Sequence, residues 1–274
     1  MSSVINTNIQ SLVAQNALKV NNRQMSDAMQ QLATGKRVNS AQDDAAGLAI
    51  ASGMSSQVRS LNVAVRNAND GISLAQTAEG AMVEISNMVQ RMRELAVQSA
   101  TGTLSASQRD YLQLEFEALD NQITSTVTNT KWNGITLLNG SLSVDIQVGA
   151  DEAASALVNI AVADDMSALD VAGGDISGAN GTAAQGVITD ADTSLDTLNS
   201  ARASLGAVIN RLTSAADNLS NISQNQSESR SRILDTDYAS ATTELARTQI
   251  IQQAGMAVLA QANQQPQAVL ALLR

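Results

Sequence analysis

The chain has 274 residues with 26 acidic against 16 basic side chains, a formal net charge of −10, and this balance excludes a nucleic-acid partner, whose phosphates need a basic face. It has no His and no Cys, which removes Ser-His and Cys nucleophiles, imidazole and thiolate metal sites, and disulfides. The sequence shows no nucleophile elbow, P-loop or dinucleotide fingerprint, so catalysis is not expected and a carboxylate-only or Ser-Lys enzyme is the one catalytic class left open.

One Trp, one Phe, two Tyr and one Pro stand among abundant small aliphatics, so the composition points to a mainly α chain of long helices. No apolar run reaches the roughly 18 residues of a membrane span, so no membrane insertion is expected. The first residues lack the basic region and apolar core of a cleaved signal. If the chain is exported, the expected route is one that does not cleave such a signal.

Residues 1–18 carry no charge, with Ile5, Ile9 and Leu12 at four-three spacing and Met25, Met29 and Leu32 repeating it. Gly35 to Gly53, with Asp43 and Asp44, interrupts the stripe and reads as a solvated joint between helical layers. The clearest helix follows. Val58, Leu61, Val65, Ala68, Ile72 and Ala75, then Met82, Ile85, Val89, Met92 and Ala96, keep three-four spacing over more than forty residues, the pattern of a coiled-coil-like rod. Gly71 and Gly80 within it mark a close helix approach or a bend.

Thr101 to Leu104 reads as a turn. Ser105 and Gln108 have capping-box spacing and open a second helix carrying Leu112, Phe116, Leu119 and Ile123, which folds back as a hairpin. That unit ends at Lys131, Trp132, Asn133 and Gly134. Strict alternation at Leu142, Val144, Ile146 and Val148, and again at Val158, Ile160 and Val162, predicts a β-hairpin. Ala172 to Gly186 is poor in apolar residues and is expected to be an exposed loop.

Helical periodicity returns at Ile188, Ala191, Leu195, Leu198, Leu205, Ile209, Leu212, Ala216 and Leu219, with Asp190 and Asp192 expected in the first turn. The chain thus goes out and returns as a long antiparallel rod. Thr248 to Leu273 is again charge-free; Met256 and Leu270, and Leu259 and Leu273, are two heptads apart on one stripe that Leu245 extends backwards. Pro266 is expected to kink or interrupt its last turns. Both ends have Gln, Asn and Ala backs with no charge to keep a neighbour away.

We therefore take Ile5, Ile9, Leu12, Leu245, Met256, Leu259, Leu270 and Leu273 as assembly residues, covered by further copies of the chain. Ordering such tails costs more than a pair of facing stripes returns, so disorder in a free monomer and helix within an assembly are expected.

The motifs SSVINTNIQSL (2–12), TGKRVNSAQDDAAGLAIA (34–51), QRMRELAVQSA (90–100), WNGITLLNG (132–140), IQVGA (146–150) and QQAGMAVLAQANQQPQAVLALLR (252–274) together resemble bacterial flagellins over essentially the whole length. The resemblance implies a flagellar filament subunit, secreted through the flagellar type III apparatus and polymerised outside the cell as a homopolymer for motility. Its terminal helices pair as the inner layer of a hollow tube. An export chaperone and a filament cap are the further partners implied.

The implied organisation is an inner helical segment and joint over residues 1–44, rod helices over 45–140, and a hairpin with a short exposed loop over 141–186. A returning rod helix over 187–230 and an inner helix over 231–274 complete it. Many flagellins carry a large variable domain where this chain has only Val162 to Gly186. The motif that meets host Toll-like receptor 5 in recognised flagellins falls here on Gln90, Arg91, Leu95 and Glu115. Without the resemblance these four read as a solvated helix face with one core leucine. A hook-filament junction protein, with similar ends, is the alternative.

Overall fold

The computed structural model describes the backbone of residues 8–149 and 156–272, and side chains as far as residue 264. The elements in chain order are α1 (Ile9–Thr34), α2 (Ala45–Ser99), α3 (Ala106–Asn129), β1 (Lys131–Trp132), β2 (Ile135–Thr136), β3 (Leu142–Gln147), β4 (Leu157–Val162), α4 (Thr182–Leu234) and α5 (Tyr238–Leu272). Packing divides the chain into a terminal unit, Met1–Ser56 with Asn225–Arg274, and a central unit, Gln57–Gln224.

The central unit holds the hydrophobic core. In α2, Leu61, Ala68, Ala75, Met82, Val89 and Ala96 recur every seventh residue and are buried, as are Ala64, Ala78, Ile85 and Met92 on the interleaved row. These rows are the a and d positions of a heptad. In α4, Ala184, Ala191, Leu198, Leu205, Leu212 and Leu219 form the answering row. Gly71 lies where a Cβ would stand 3.0 Å from Ile146 and 3.2 Å from Leu212, so it marks a close approach; nothing lies within 4 Å of such a position on Gly80.

The expected capping box is present at Ser105 and Gln108, and α3 adds Phe116, Ile123 and Val127 to the same core. Strands β3 and β4 pair antiparallel with Val144 opposite Ile160, turning Val158, Ile160 and Val162 inward. A second, shorter hairpin, β1 with β2, is one the sequence reading did not identify. Its turn is Asn133 and Gly134, both at positive φ (48° and 85°), as a two-residue hairpin requires.

Four expectations need correcting here. Residues 172–186 are not an exposed loop throughout: Ile176 and Ala184 are buried in the core, as are Met166, Leu169 and Val171 just before them, and α4 starts at Thr182. Few apolar residues suffice because polar groups anchor the rest. Arg109, itself buried, donates from Nε to the Ser99 carbonyl (2.9 Å) and from Nη2 to that of Thr101 (3.0 Å). Its Nη1 donates to the carbonyls of Gly178 (3.4 Å) and Ala179 (3.2 Å), and the Ser99 hydroxyl donates to the Ile176 carbonyl. The cation thereby sits at the carbonyl end of α2, where the helix dipole favours it.

Helix α4 begins at Thr182, so Asp190 and Asp192 lie beyond its first turn; Asp192 instead pairs with Arg93 of α2 at 2.7 Å. The joint is also shorter than expected, because Asp44 accepts the Gly47 N–H (2.8 Å) at the start of α2 and the helix then runs through Gly47 and Gly53. At the other end, α5 continues past Pro266 to Leu272. A proline removes one hydrogen bond, and the flanking ones hold the helix.

In the terminal unit, Gly35 ends α1 in the left-handed region (φ 70°). The following strap pairs Lys36 with Asp235, and the Arg37 N–H and guanidinium donate to the Leu234 and Ile233 carbonyls, both at 2.7 Å. Asp43 accepts the N–H groups of Ser40 (2.8 Å) and Asn39 (3.0 Å), which hold its carboxyl below the usual value.

Candidate assembly surface

Helices α1 and α5 pair antiparallel. Asn8 Nδ2 donates to the Ala262 carbonyl and Asn21 Nδ2 to that of Thr248, both at 2.8 Å, and the Tyr238 hydroxyl donates to the Leu32 carbonyl (3.1 Å). The seam follows a heptad on both sides. In α1 the covered positions are Ser11, Ala14, Leu18, Asn21, Met25, Ala28 and Leu32; in α5 they are Ala241, Leu245, Thr248, Gln252, Gly255, Leu259 and Ala262. The fully buried ones are small or polar. Gly255 admits Leu18, whose Cδ2 would stand 2.7 Å from an added Cβ. Asn21 is 4% exposed, and its Oδ1 has no hydrogen-bond partner.

The fully buried row of the seam is small and polar, which lets the two helices approach closely; Leu18, Met25, Leu32, Leu245 and Leu259 are half-buried beside it, and a further set of large apolar side chains lies outside. Ile9 is 60% exposed, and Leu12, Val13 and Val20 are also exposed, as are Ile250, Ile251, Met256 (61%) and Val258 on α5. Isolated exposed hydrophobes are ordinary, but a series along one helix pair marks a contact surface. The antiparallel arrangement also sets the charge-free residues 8–18 beside the charge-free residues 252–262. A neighbour covering that end would strip water from no charge.

The sequence-derived assembly residues separate accordingly. Ile9, Leu12 and Met256 face outward, whereas Leu245 and Leu259 are half-buried in the seam of their own chain. The single stripe expected to join Met256 to Leu259 is thus two faces, because positions three apart straddle the edge of a heptad seam. Ile5 and Leu273 lie outside the described residues, as does the side chain of Leu270. Ser11, Asn21 and the series Ala241, Thr248, Gly255, Ala262 escaped the reading. Their signal was a seven-residue repeat of small and polar residues, which a search for apolar periodicity passes over.

In the central unit, Gln90, Arg91 and Glu115 are exposed, and Arg91 joins Glu115 (2.8 Å) and Glu94 (2.9 Å). The hydrogen bonds that the guanidinium donates to Glu94 and then to Glu115 raise its pKa. Leu95 is 1% exposed and belongs to the core, so a partner docking on this face meets Gln90, Arg91 and Glu115. Among the described residues, no group of three or more carboxylates is placed to hold a metal ion, and no helix is long and apolar enough to cross a membrane.

Two family models match the chain: "Bacterial flagellin N-terminal helical region" over residues 5–143 and "Bacterial flagellin C-terminal helical region" over residues 188–273. A flagellin of Halalkalibacterium halodurans is 42% identical over 272 residues, covering 99% of this chain and all of the relative. Flagellin B of Vibrio cholerae is 35% identical, with both chains covered in full. The crystal structure of Bacillus cereus flagellin superposes with a TM-score of 0.50 at 31% identity, over 56% of this chain and 88% of that one.

Proposed function

Because the chain belongs to the bacterial flagellin family, whose members form the extracellular filament of the bacterial flagellum, we propose that it polymerises through α1 and α5 into a hollow filament for motility. The observation that carries this reading is a helix pair whose fully buried positions are small or polar while Ile9, Val13, Val20, Ile250 and Met256 lie exposed outside. Each α1/α5 pair is one repeating block of the assembly. Neighbouring copies bury its apolar faces, and the Gln and Asn side chains between them exchange hydrogen bonds with water for bonds with other copies.

Because residues 8–18 and 252–262 lack charge, electrostatic repulsion does not limit stacking at that end of the pair. The fuller organisation, with terminal helices inside and the central unit as an outer rod, belongs to this proposal. So do an export chaperone and a filament cap as partners. A hook-filament junction protein is disfavoured, because the relatives matched over their full length are themselves flagellins.

The test is Ile250→Asp. A carboxylate buried without a partner costs several kcal/mol. Every added subunit carries it, so about 4 kcal/mol raises the critical concentration roughly a thousandfold. Seeded growth should fail, while the melting of the central unit stays unchanged. Normal filaments from this variant would show that the outward face of α5 is not an assembly contact.

A second reading has its own observation. The exposed Gln90, Arg91 and Glu115, with the last two held together by an ion pair, offer a preorganised polar face that suits recognition by Toll-like receptor 5. Charge reversal at Arg91 should abolish receptor activation by the soluble chain if this face is the contact.

A further inference from the structure

The chain has nine methionines and no cysteine, so its thioethers are its only sulfur. Their exposures differ sharply. Met82, Met92 and Met166 are fully buried in the central core, whereas Met256 is 61% and Met29 48% exposed, on α5 and α1 respectively. Met256 lies within the charge-free stretch, in the same turns as the exposed Ile250 and Val258.

We infer that Met256 and Met29 are oxidation sites through which peroxide-type oxidants switch off assembly of the free chain. The inference rests on the filament reading for its consequence and on exposure alone for the sites. In the reaction the thioether sulfur attacks one peroxide oxygen and the O–O bond breaks. An S–O bond forms, and the second oxygen leaves as water with both peroxide protons. Sulfur loses two electrons and the peroxide gains them. The product is a sulfoxide, a strong hydrogen-bond acceptor in place of an apolar group, which sulfoxide reductases convert back.

The α5 surface around Met256 carries no cationic side chain, since residues 248–273 are uncharged. A sulfoxide buried there by a neighbouring copy must find an amide donor or remain unpaired. Exposed thioethers react before buried ones, and no thiol elsewhere in the chain intercepts the oxidant. A subunit already covered by its neighbours is shielded, so the switch acts on chains before they are added.

The test treats the soluble full-length chain with limiting hydrogen peroxide, locates each added oxygen by peptide mass mapping, and then measures seeded polymerisation. The double variant Met29→Leu, Met256→Leu is run beside it; leucine keeps the volume and the helix but cannot be oxidised. Oxygen is expected first at Met256 and Met29, with Met82, Met92 and Met166 unmodified. The oxidised chain should need about tenfold more protein to polymerise, a difference of about 1.4 kcal/mol, and the double variant should polymerise equally with or without peroxide.

Earlier oxidation of Met82, Met92 or Met166 would overturn the site. Unchanged polymerisation of a chain oxidised at both positions, or equal inhibition of the double variant, would overturn the switch. If the untreated chain forms no polymer at all, the filament reading fails, and the mass map still decides which sulfurs are reactive.

Discussion

The central unit and the terminal helix pair are built on the same seven-residue repeat and differ in what occupies it. In α2 and α4 the repeat mixes alanines such as Ala68, Ala75, Ala78 and Ala191 with Leu61, Met82, Ile85, Met92, Leu198, Leu205 and Leu212, all of them buried, so closing the helices removes large aliphatic surface from water. In α1 and α5 the buried positions are Ser11, Asn21, Ala28, Ala241, Thr248 and Ala262, Leu18, Met25, Leu32, Leu245 and Leu259 are only half-buried, and Ile9, Leu12, Val13, Ile250 and Met256 lie outside. A heptad therefore specifies that two helices meet; the size of its residues decides whether the meeting completes a core or prepares a surface for further copies.

The largest effect that would sharpen this contrast is a core truncation. Phe116 is 1% exposed and packs in the central core, so Phe116→Ala should cost about 3–5 kcal/mol. Leu18→Ala, at a half-buried seam position, should cost only about 1 kcal/mol. Denaturant midpoints of the two variants measure the ratio; equal losses would mean that the seam is as consolidated as the core.

Next comes Arg109→Met, which keeps the aliphatic stem and leaves the carbonyls of Ser99, Thr101, Gly178 and Ala179 without their donor. A loss of about 1–3 kcal/mol is expected. It should appear as faster proteolysis within residues 172–181, with the terminal helix pair unaffected. Cleavage unchanged from the parent chain would show that the segment is held without Arg109, by its buried Ile176 and Val171 and by the hydrogen bonds of Gln113 with Ile176 and Gly174.

The smallest effect is electrostatic. In the terminal unit, Glu244 is held below its usual pKa by Arg247, and Asp43 by the N–H groups of Ser40 and Asn39. A depressed folded-state pKa stabilises at pH above the unfolded-state value, and that contribution disappears as pH falls through the folded-state value. Acidification below about pH 4 should therefore loosen the strap and the α5 hydrogen bonds. Asp175, lowered by the Ser177 hydroxyl and then its N–H, is the corresponding group in the central unit. Hydrogen exchange at Asn39 and Ser40 between neutral and acid pH reads the effect, and unchanged protection would refute it.

Much of this was legible in residue patterns because the relevant forces are local and periodic. The α2 stripe, the Ser105/Gln108 capping box, the α4 stripe from Ala191 to Leu219 and the β3–β4 alternation all appear at the expected positions. The buried segment from Met166 to Ile176 was not legible, because its anchor is a side chain distant in sequence: Arg109 lies 69 residues from Gly178. The division of the terminal stripes was missed for a different reason. Hydrophobic periodicity marks which residues leave water, whereas Ser11, Asn21 and Thr248 leave water because close helix approach requires small side chains and because Asn21 finds a backbone carbonyl.

By itself, the sequence determined the family, the helical repeat and the absence of charge at both ends, since each is written in the order of residue types. Only the tertiary structure decided which side chains of α1 and α5 face each other and which face outward. A seven-residue repeat is compatible with more than one seam. The choice falls to the closest backbone approach, which Gly255, Ala262 and Ala28 permit and which Ile9, Ile250 and Met256 would block.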